Sequence, residues 1–311
     1  MFPMNVEFPK LGIEFTIDNV AFSIGSWNFY WYAVIIALGF LLAFVYGTTR
    51  AKHFGIEVDP MIDVVLVCVI LGILGARAYY VIFNWSVYKD NFWSVFGIWN
   101  GGMAIYGGVI AAFAGGWFMT KKRKVNTMAM FDLASIGFLI GQGVGRWGNF
   151  VNQEAFGSPT DLPWGMVSYN TGGVAVHPCF LYESLWCLIG FALLHFMSVK
   201  FYKFKGQIFF SYLAWYGLGR VWIEGLRTDS LWLIPNVIRV SQLLSLLLII
   251  GAGVMLWLAF ANKIKFEPAG TTVVEEHFDP NDIFEKDDVA PAYSFDLTDE
   301  SVQDETDNTD V

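Results

Sequence analysis

The sequence predicts an all-α polytopic membrane protein of about seven transmembrane helices, with a small extracytoplasmic head and a short N-terminal arm. Three observations predict it. The 311 residues are 55% hydrophobic and only 15% charged, which is an integral-membrane balance rather than a soluble one. Apolar runs of about 20 residues, the length that crosses a bilayer, recur along the chain. Lys and Arg gather in every second loop between those runs, as they do in loops kept on the cytoplasmic side.

The arm covers residues 1–26. Ile13-Glu14-Phe15-Thr16-Ile17 alternates, and Val20 to Ile24 is similar, so short strands or an interfacial segment are expected. Met1 to Lys10 lacks a basic start followed by an apolar run, so no cleaved signal peptide is expected. The membrane domain covers 27–262, with spans near 27–46, 61–83, 102–119, 127–144, 180–199, 207–222 and 240–260. The third and fourth spans are short and rich in Gly. Arg50 and Lys52 follow the first span, Lys121, Lys122, Arg123 and Lys124 the third, Lys200, Lys203 and Lys205 the fifth, and Lys263 and Lys265 the seventh. These 11 charges lie on one side; Lys10 and Lys89 lie on the other. The N-terminus is therefore expected outside and the C-terminus in the cytoplasm.

Segment 145–179 is expected to form the outer head. Within it Trp164 to Tyr169 and Val174 to His177 flank Asn170-Thr171-Gly172-Gly173, the pattern of a hairpin with a Gly-containing turn. The chain has no internal repeat, which weighs against many transporter folds. Residues 263–311 form an acidic tail. From 267 onward it holds 15 Asp and Glu against one Lys, a net of −14, while residues 1–266 carry +5, giving −9 overall. The tail has no apolar periodicity and is expected to be a disordered, solvating cytoplasmic segment. The positive residues fall in short loops, so nucleic acid is not an expected partner. Cys68, Cys179 and Cys187 give no disulfide framework, and Cys179 near His177 does not make a zinc site. No metal is expected.

The densest polar stretch runs Gly141-Gln142-Gly143-Val144-Gly145-Arg146-Trp147-Gly148-Asn149-Phe150-Val151-Asn152-Gln153-Glu154-Ala155-Phe156-Gly157. It places an arginine, two asparagines and a glutamate directly after an apolar helix. An Arg at membrane depth costs about 2.5–3.5 kcal/mol, so it needs a partner or a task. Its planar fork suits a phosphate, and lipid head groups supply phosphates. On span six, Tyr212, Tyr216, Arg220, Glu224 and Arg227 are spaced by 4, 4, 4 and 3, which puts them on one helical face. Arg220 with Arg146 would clamp a phosphate at the outer membrane depth, with Glu224 holding one guanidinium. Arg77 on span two is either an interior ion-pair residue, for which Asp132 is a plausible partner, or a second lipid-phosphate ligand. Tyr106 sits between two Gly pairs, Gly101-Gly102 and Gly107-Gly108, that permit close backbone approach. His177, before Pro178 at the start of span five, reads on its own as a polar interfacial residue. No His-Glu-x-x-His, Gly-x-Ser-x-Gly or P-loop is present, which disfavours a membrane protease or a nucleotide-driven pump.

These motifs, taken in order, resemble bacterial prolipoprotein diacylglyceryl transferases over about residues 15–260. The Gly-Arg-x-x-Asn-Phe-x-Asn-x-Glu-x-x-Gly element is carried by Gly145, Arg146, Asn149, Phe150, Asn152, Glu154 and Gly157. His177, Pro178, Leu181, Tyr182 and Glu183 carry a second element, and Tyr216, Gly217, Arg220, Glu224 and Arg227 a third. Trp31-Tyr32, and Gly75 with Arg77, also resemble the family. The resemblance implies a seven-span enzyme of the bacterial cytoplasmic membrane, with its active site toward the outer leaflet. It would move the diacylglyceryl group of phosphatidylglycerol to the lipobox cysteine of a prolipoprotein, release glycerol phosphate and need no cofactor. Arg146, Arg220, Glu154, Tyr106 and His177 would be catalytic. Arg146, Asn149, Asn152, Gly157, Tyr32, Arg77, Tyr216, Glu224 and Arg227 would bind substrate. Tyr106 departs from the family, many members of which have His there. A tyrosine, with pKa near 10 against about 6.5 for histidine, is a poor base at neutral pH. Tyr106 then orients the lipid, and Glu154 or His177 is the candidate base. The alternative class is a transporter of phospholipid or anionic solute using the same arginines.

Overall fold

The computed structural model describes residues 4–89, 91–234 and 237–270. Most are helical. Seven helices of 18–26 residues run through the described part: α1 (Trp31–Arg50), α2 (Val58–Phe83), α3 (Ile105–Lys122), α4 (Thr127–Asn152), α5 (Cys179–Lys200), α6 (Gln207–Leu226) and α7 (Val240–Phe260). Five, at Trp31–Phe54, Val58–Phe83, Thr127–Asn152, Cys179–Lys200 and Val240–Phe260, are long and apolar enough to cross a membrane. α3 ends in Lys121 and Lys122, and α6 carries Arg220 and Glu224, which lowers the apolarity of both.

Local chemistry sets the ends. The Asn126 side chain caps α4 by accepting from Ala129 N at 3.0 Å. Pro178 stands immediately before α5, and Asp59 lies in the first turn of α2, where helix dipoles favour an acid. Asp132 caps α6 from across the bundle: it accepts from Gly206 N at 2.6 Å, Phe209 N at 2.7 Å and Tyr202 Oη at 2.7 Å.

α4 is the central helix and packs against α1, α5 and α6. Its residues Leu133, Ile136 and Leu139 meet Met61, Val64, Leu194, Ile208 and Tyr212 in the main buried cluster. α2 packs on α3 through a crossing that only small residues permit. A Cβ added at Gly75 would lie 2.3 Å from Ala111 Cβ, and one at Gly107 would lie 2.3 Å from Gly75 O. α5 and α6 are joined by two stacked indoles, Trp186 and Trp215, 4.3 Å apart. Each Nε1 donates to the other residue's carbonyl, at 3.0 and 3.1 Å. Gly190 and Gly219 make the room. The outward faces stay apolar, as with Leu247, Ile250 and Trp257 on α7, which suits a hydrocarbon solvent.

The strands lie near the α1, α4 and α5 ends that carry the candidate site. β1 (Met4–Phe8) and β2 (Ile13–Ile17) pair antiparallel, and β5 (Val167–Ser168) joins β1 in the order β2-β1-β5. The arm and the segment after α4 therefore share one sheet, over a small core of Val6, Phe8, Met166, Val176 and Phe180. β3 (Val20–Ile24) pairs with β4 (Trp27–Tyr30), and β6 (Trp232–Ile234) with β7 (Ile238–Arg239). Of the expected hairpin after α4 one pair forms, between Met166 and Val176, while Val167 and Ser168 pair with β1 instead.

Among the boundaries that differ from the expectation, three stand out. The first span begins in β4, and α1 starts at Trp31. α4 does not stop at residue 144 but continues to Asn152, ending where Gln153 adopts φ 52°. Its glycines do not break it because neighbours fill the space they leave: a Cβ at Gly148 would lie 2.8 Å from the Tyr32 ring, and one at Gly145 would lie 3.1 Å from Ile36 Cδ1. Residues 263–270, assigned to the tail, are bonded to the loop after α5. Lys205 N donates to Glu267 O and Ala269 N to Lys203 O, both at 2.9 Å. The rest of the acidic tail, 271–311, lies outside the described residues.

Candidate active site

Because α4 runs on to Asn152, Arg146 and Asn149 sit on its last two turns, one turn apart. Arg146 Nη1 donates to Asn149 Oδ1 at 3.2 Å, and Asn149 Nδ2 donates to Glu154 Oε1 at 2.8 Å. Asn152 Nδ2 reaches the same Glu154 oxygen at 3.4 Å. The helix stop at Gln153 turns the chain so that Glu154 faces back toward α4.

The hub of the site is a residue the sequence reading did not assign to it. Glu183, on the first turns of α5, is buried and touches three arginines. Its carboxylate lies 2.5 Å from Arg146 Nε, 3.2 Å from Arg220 Nη1 and 3.5 Å from Arg227 Nη1. Glu224 pairs with Arg220 at 2.8 Å across one turn of α6. Asp229 takes the Nε and Nη2 edge of Arg227 at 2.9 and 2.7 Å. Arg227 holds the Asp229 carboxyl below the usual carboxylate range, and Asp229 in turn raises the guanidinium further. Three cations and three carboxylates thus form one network around the buried Glu183 and Glu224, held by α4, α5, α6 and the turn after α6, with Asp229 half-exposed. The signal for Glu183 was a carboxylate one turn inside an apolar run, which at membrane depth requires a partner.

Tyr216 lies on α6 within electrostatic range of Arg220, Arg146, Glu183 and Tyr106. Tyr106, at the first turn of α3, is exposed and lies within electrostatic range of Tyr216. Tyr32 packs its ring against Gly148. It also lines a cavity of about 530 Å³ with Asn19, Tyr30, Ala33, Asn152 and Glu154.

Three expected residues are engaged within the protein itself. Arg77 is buried and gives its guanidinium to backbone carbonyls: Val95 O at 2.8 Å, Gly101 O at 2.7 Å, Gly102 O at 3.0 Å and Ser94 O at 2.8 Å. Its cation also lies 5.1 Å from the Tyr88 ring centre. Arg77 thus organises the loop before α3 and is not paired with Asp132. Gly157 is a close-packing position. It bridges to Arg227, and a Cβ there would lie 2.7 Å from His177 Cβ and 2.9 Å from Cys179 Sγ. His177 faces Tyr182, with Nδ1 and Oη 3.2 Å apart, and Trp164 Nε1 donates to that same hydroxyl at 2.7 Å. Among the described residues, no group of three His, Cys, Asp or Glu side chains could hold a metal ion.

A cluster of guanidiniums beside a carboxylate-bearing cavity, at one end of an apolar bundle, can fix a lipid phosphate and receive a second, uncharged reactant next to it. The family described as prolipoprotein diacylglyceryl transferase matches residues 19–258 of the chain. A phosphatidylglycerol–prolipoprotein diacylglyceryl transferase of Finegoldia magna is 43% identical over 248 residues, covering 80% of this chain and 98% of its own. Its namesake from Clostridioides difficile is 41% identical over 236 residues, covering 76% and 92%. One from Staphylococcus aureus is 39% identical over 268 residues, covering 83% and 94%. The chain belongs to the prolipoprotein diacylglyceryl transferase family.

Proposed function

We propose that this chain transfers the diacylglyceryl group of phosphatidylglycerol to the lipobox cysteine of a prolipoprotein, the first step of lipoprotein maturation. The observation that carries the reading is the three-arginine network around Glu183, joined through Asn149 to Glu154. The cysteine sulfur attacks the glycerol carbon that bears the phosphate. The C–S bond forms, the C–O bond breaks, and glycerol phosphate leaves with the electron pair. Arg146 and Arg220 stabilise the charge that grows on the departing phosphate, with Arg227 steadied by Asp229 beside them. The thiolate is the reactive form of cysteine. Glu154 takes the thiol proton, because it lines the open cavity while His177 is turned to Tyr182. Tyr106 orients the lipid beside Tyr216. Asn149 and Asn152 hold Glu154.

All seven long helices span the bacterial cytoplasmic membrane in this reading, with the N-terminus outside, the C-terminus in the cytoplasm and the Glu183 network toward the outer leaflet. The chain then divides into an arm (1–26), a seven-span catalytic domain (27–262) and an acidic tail (263–311). The 11 Lys and Arg in alternate loops support this orientation. Ser158→Cys in intact cells should react with an impermeant thiol reagent, and Lys122→Cys should not; the reverse pattern moves the site to the other leaflet. Incubation of the purified protein with phosphatidylglycerol and a lipobox peptide should yield a thioether product and glycerol phosphate. Lipid flux without a thioether would establish the transporter reading instead.

A further inference from the structure

The geometry points to the cavity beside the arginine network as the seat of the polypeptide substrate, with the lipid phosphate on the other side of Asn149. This rests on the transferase reading above. The cavity, about 530 Å³, falls in the range of roughly 300–1,000 Å³ typical of ligand sites. Glu154 is the charged group in its lining, and among the described residues no Lys or Arg lines it. A phosphate there would face a carboxylate with no cation, while Arg146 lies one Asn away with Arg220 and Arg227 behind it around Glu183. The two substrates therefore sort by charge.

Two further observations fit a peptide. The Asn19 amide oxygen has no hydrogen-bond partner, and a backbone N–H would satisfy it; of the lipid, only the terminal glycerol hydroxyls could do the same, since the acyl chains and the phosphodiester carry no donor. Asn19 is fixed there because its carbonyl accepts from Trp31 N at 3.0 Å, beside Tyr32 and Ala33. Tyr30 ends β4, and among the described residues β4 pairs with β3 alone. An extended chain can run along its open edge to the cavity. A cysteine delivered that way arrives beside Glu154.

The full chain in phosphatidylglycerol nanodiscs, with each substrate varied in turn, tests this. Ala33→Phe, which fills the cavity, should raise the peptide KM by about tenfold or more while the lipid KM stays within about twofold. Asn19→Ala, which removes the acceptor, should raise the peptide KM roughly 3–10-fold. A rise in lipid KM with unchanged peptide KM would place the lipid's terminal glycerol in the cavity and overturn the inference. So would unchanged values for both substrates. A readout without turnover guards against misfolded variants: Ala33→Cys, oxidised with copper phenanthroline in air, should capture the peptide cysteine as a mixed disulfide. A Cys→Ser peptide should compete. Absence of capture also overturns the inference. If the wild type makes no thioether with any lipobox peptide, the transferase reading has failed. Capture at position 33 still reports on the cavity separately.

Discussion

Glu183→Gln tests the network at its hub. Glu183 is buried and meets Arg146, Arg220 and Arg227 at 2.5, 3.2 and 3.5 Å. Removing its charge leaves Arg220 with Glu224 and Arg227 with Asp229. Arg146 loses its one carboxylate among the described residues and keeps only Asn149 at 3.2 Å. Stripping a buried ion pair of one partner costs about 3–5 kcal/mol. The Arg146 side chain is 27% exposed, so the lower end, about 3 kcal/mol, applies. If that cost appears as a guanidinium no longer held where the phosphate departs, kcat falls roughly 10²-fold, at about 1.4 kcal/mol per decade. Ground-state binding moves the other way. Three cations then face two carboxylates, so the lipid KM should stay level or fall. The assay is thioether formation with lipid and peptide varied separately, alongside the melting temperature. A kcat within about threefold of wild type in a normally melting variant would refute the reasoning, as would a loss confined to the lipid KM.

Arg146→Lys and Arg220→Lys should each lose about 10²-fold or more in kcat although charge is kept, since one ammonium cannot reproduce a planar fork bonded on two sides; near-normal turnover with normal expression would count against the clamp. Tyr106→Phe should keep activity within roughly tenfold, because the ring beside Tyr216 remains, against the 10²–10⁴ expected if the hydroxyl moved a proton. A pH–rate profile that loses its basic limb in that variant alone would reverse this assignment. Asp229 has its pKa lowered by Arg227, so its contribution to stability is full above its unfolded pKa of about 3.9 and is lost as pH falls through the lower folded value. Asp229→Asn should therefore melt lower than wild type at pH 7, with the gap narrowing as pH falls below about 3.9; a gap that does not narrow in acid would mean the ion pair is not its source.

The helices were legible because lipid-facing length and apolarity are written along the chain. α5 and α7 fall within a residue of where apolarity puts them. The end of α4 was not legible. A run of glycines weakens a helix unless neighbours fill the grooves it leaves, and the neighbours are Tyr32 and Ile36 of α1, more than a hundred residues earlier. The sheet uniting arm and head was hidden for a related reason: β5 is two residues long and has no alternation to read. At the candidate site, the residue types at Arg146, Arg220, Glu224 and Arg227 announced themselves by being charged at membrane depth. Their common partner carried the same mark, but its role as the hub did not show. Glu183 stands 37 residues from Arg146 and from Arg220 alike, and only the packing of α5 between α4 and α6 selects it. Arg77 shows the converse, since a charged residue inside a span can be spent wholly on backbone carbonyls that no sequence pattern marks.

The paired indoles between α5 and α6 constrain how the molecule can open. A lipid with two acyl chains must reach the arginines from the side, so helices have to part somewhere. Sliding α5 past α6 by one turn, about 5.4 Å, would strip both indole N–H groups of their carbonyls in a medium with no water to replace them, at several kcal/mol per group. Gly190 and Gly219 are the positions that admit the rings, and a slide would carry the rings away from them. Such a slide is therefore costly at this seam, which favours keeping Glu183 opposite Arg220. The breathing needed to load and unload substrate then falls to the other helix boundaries.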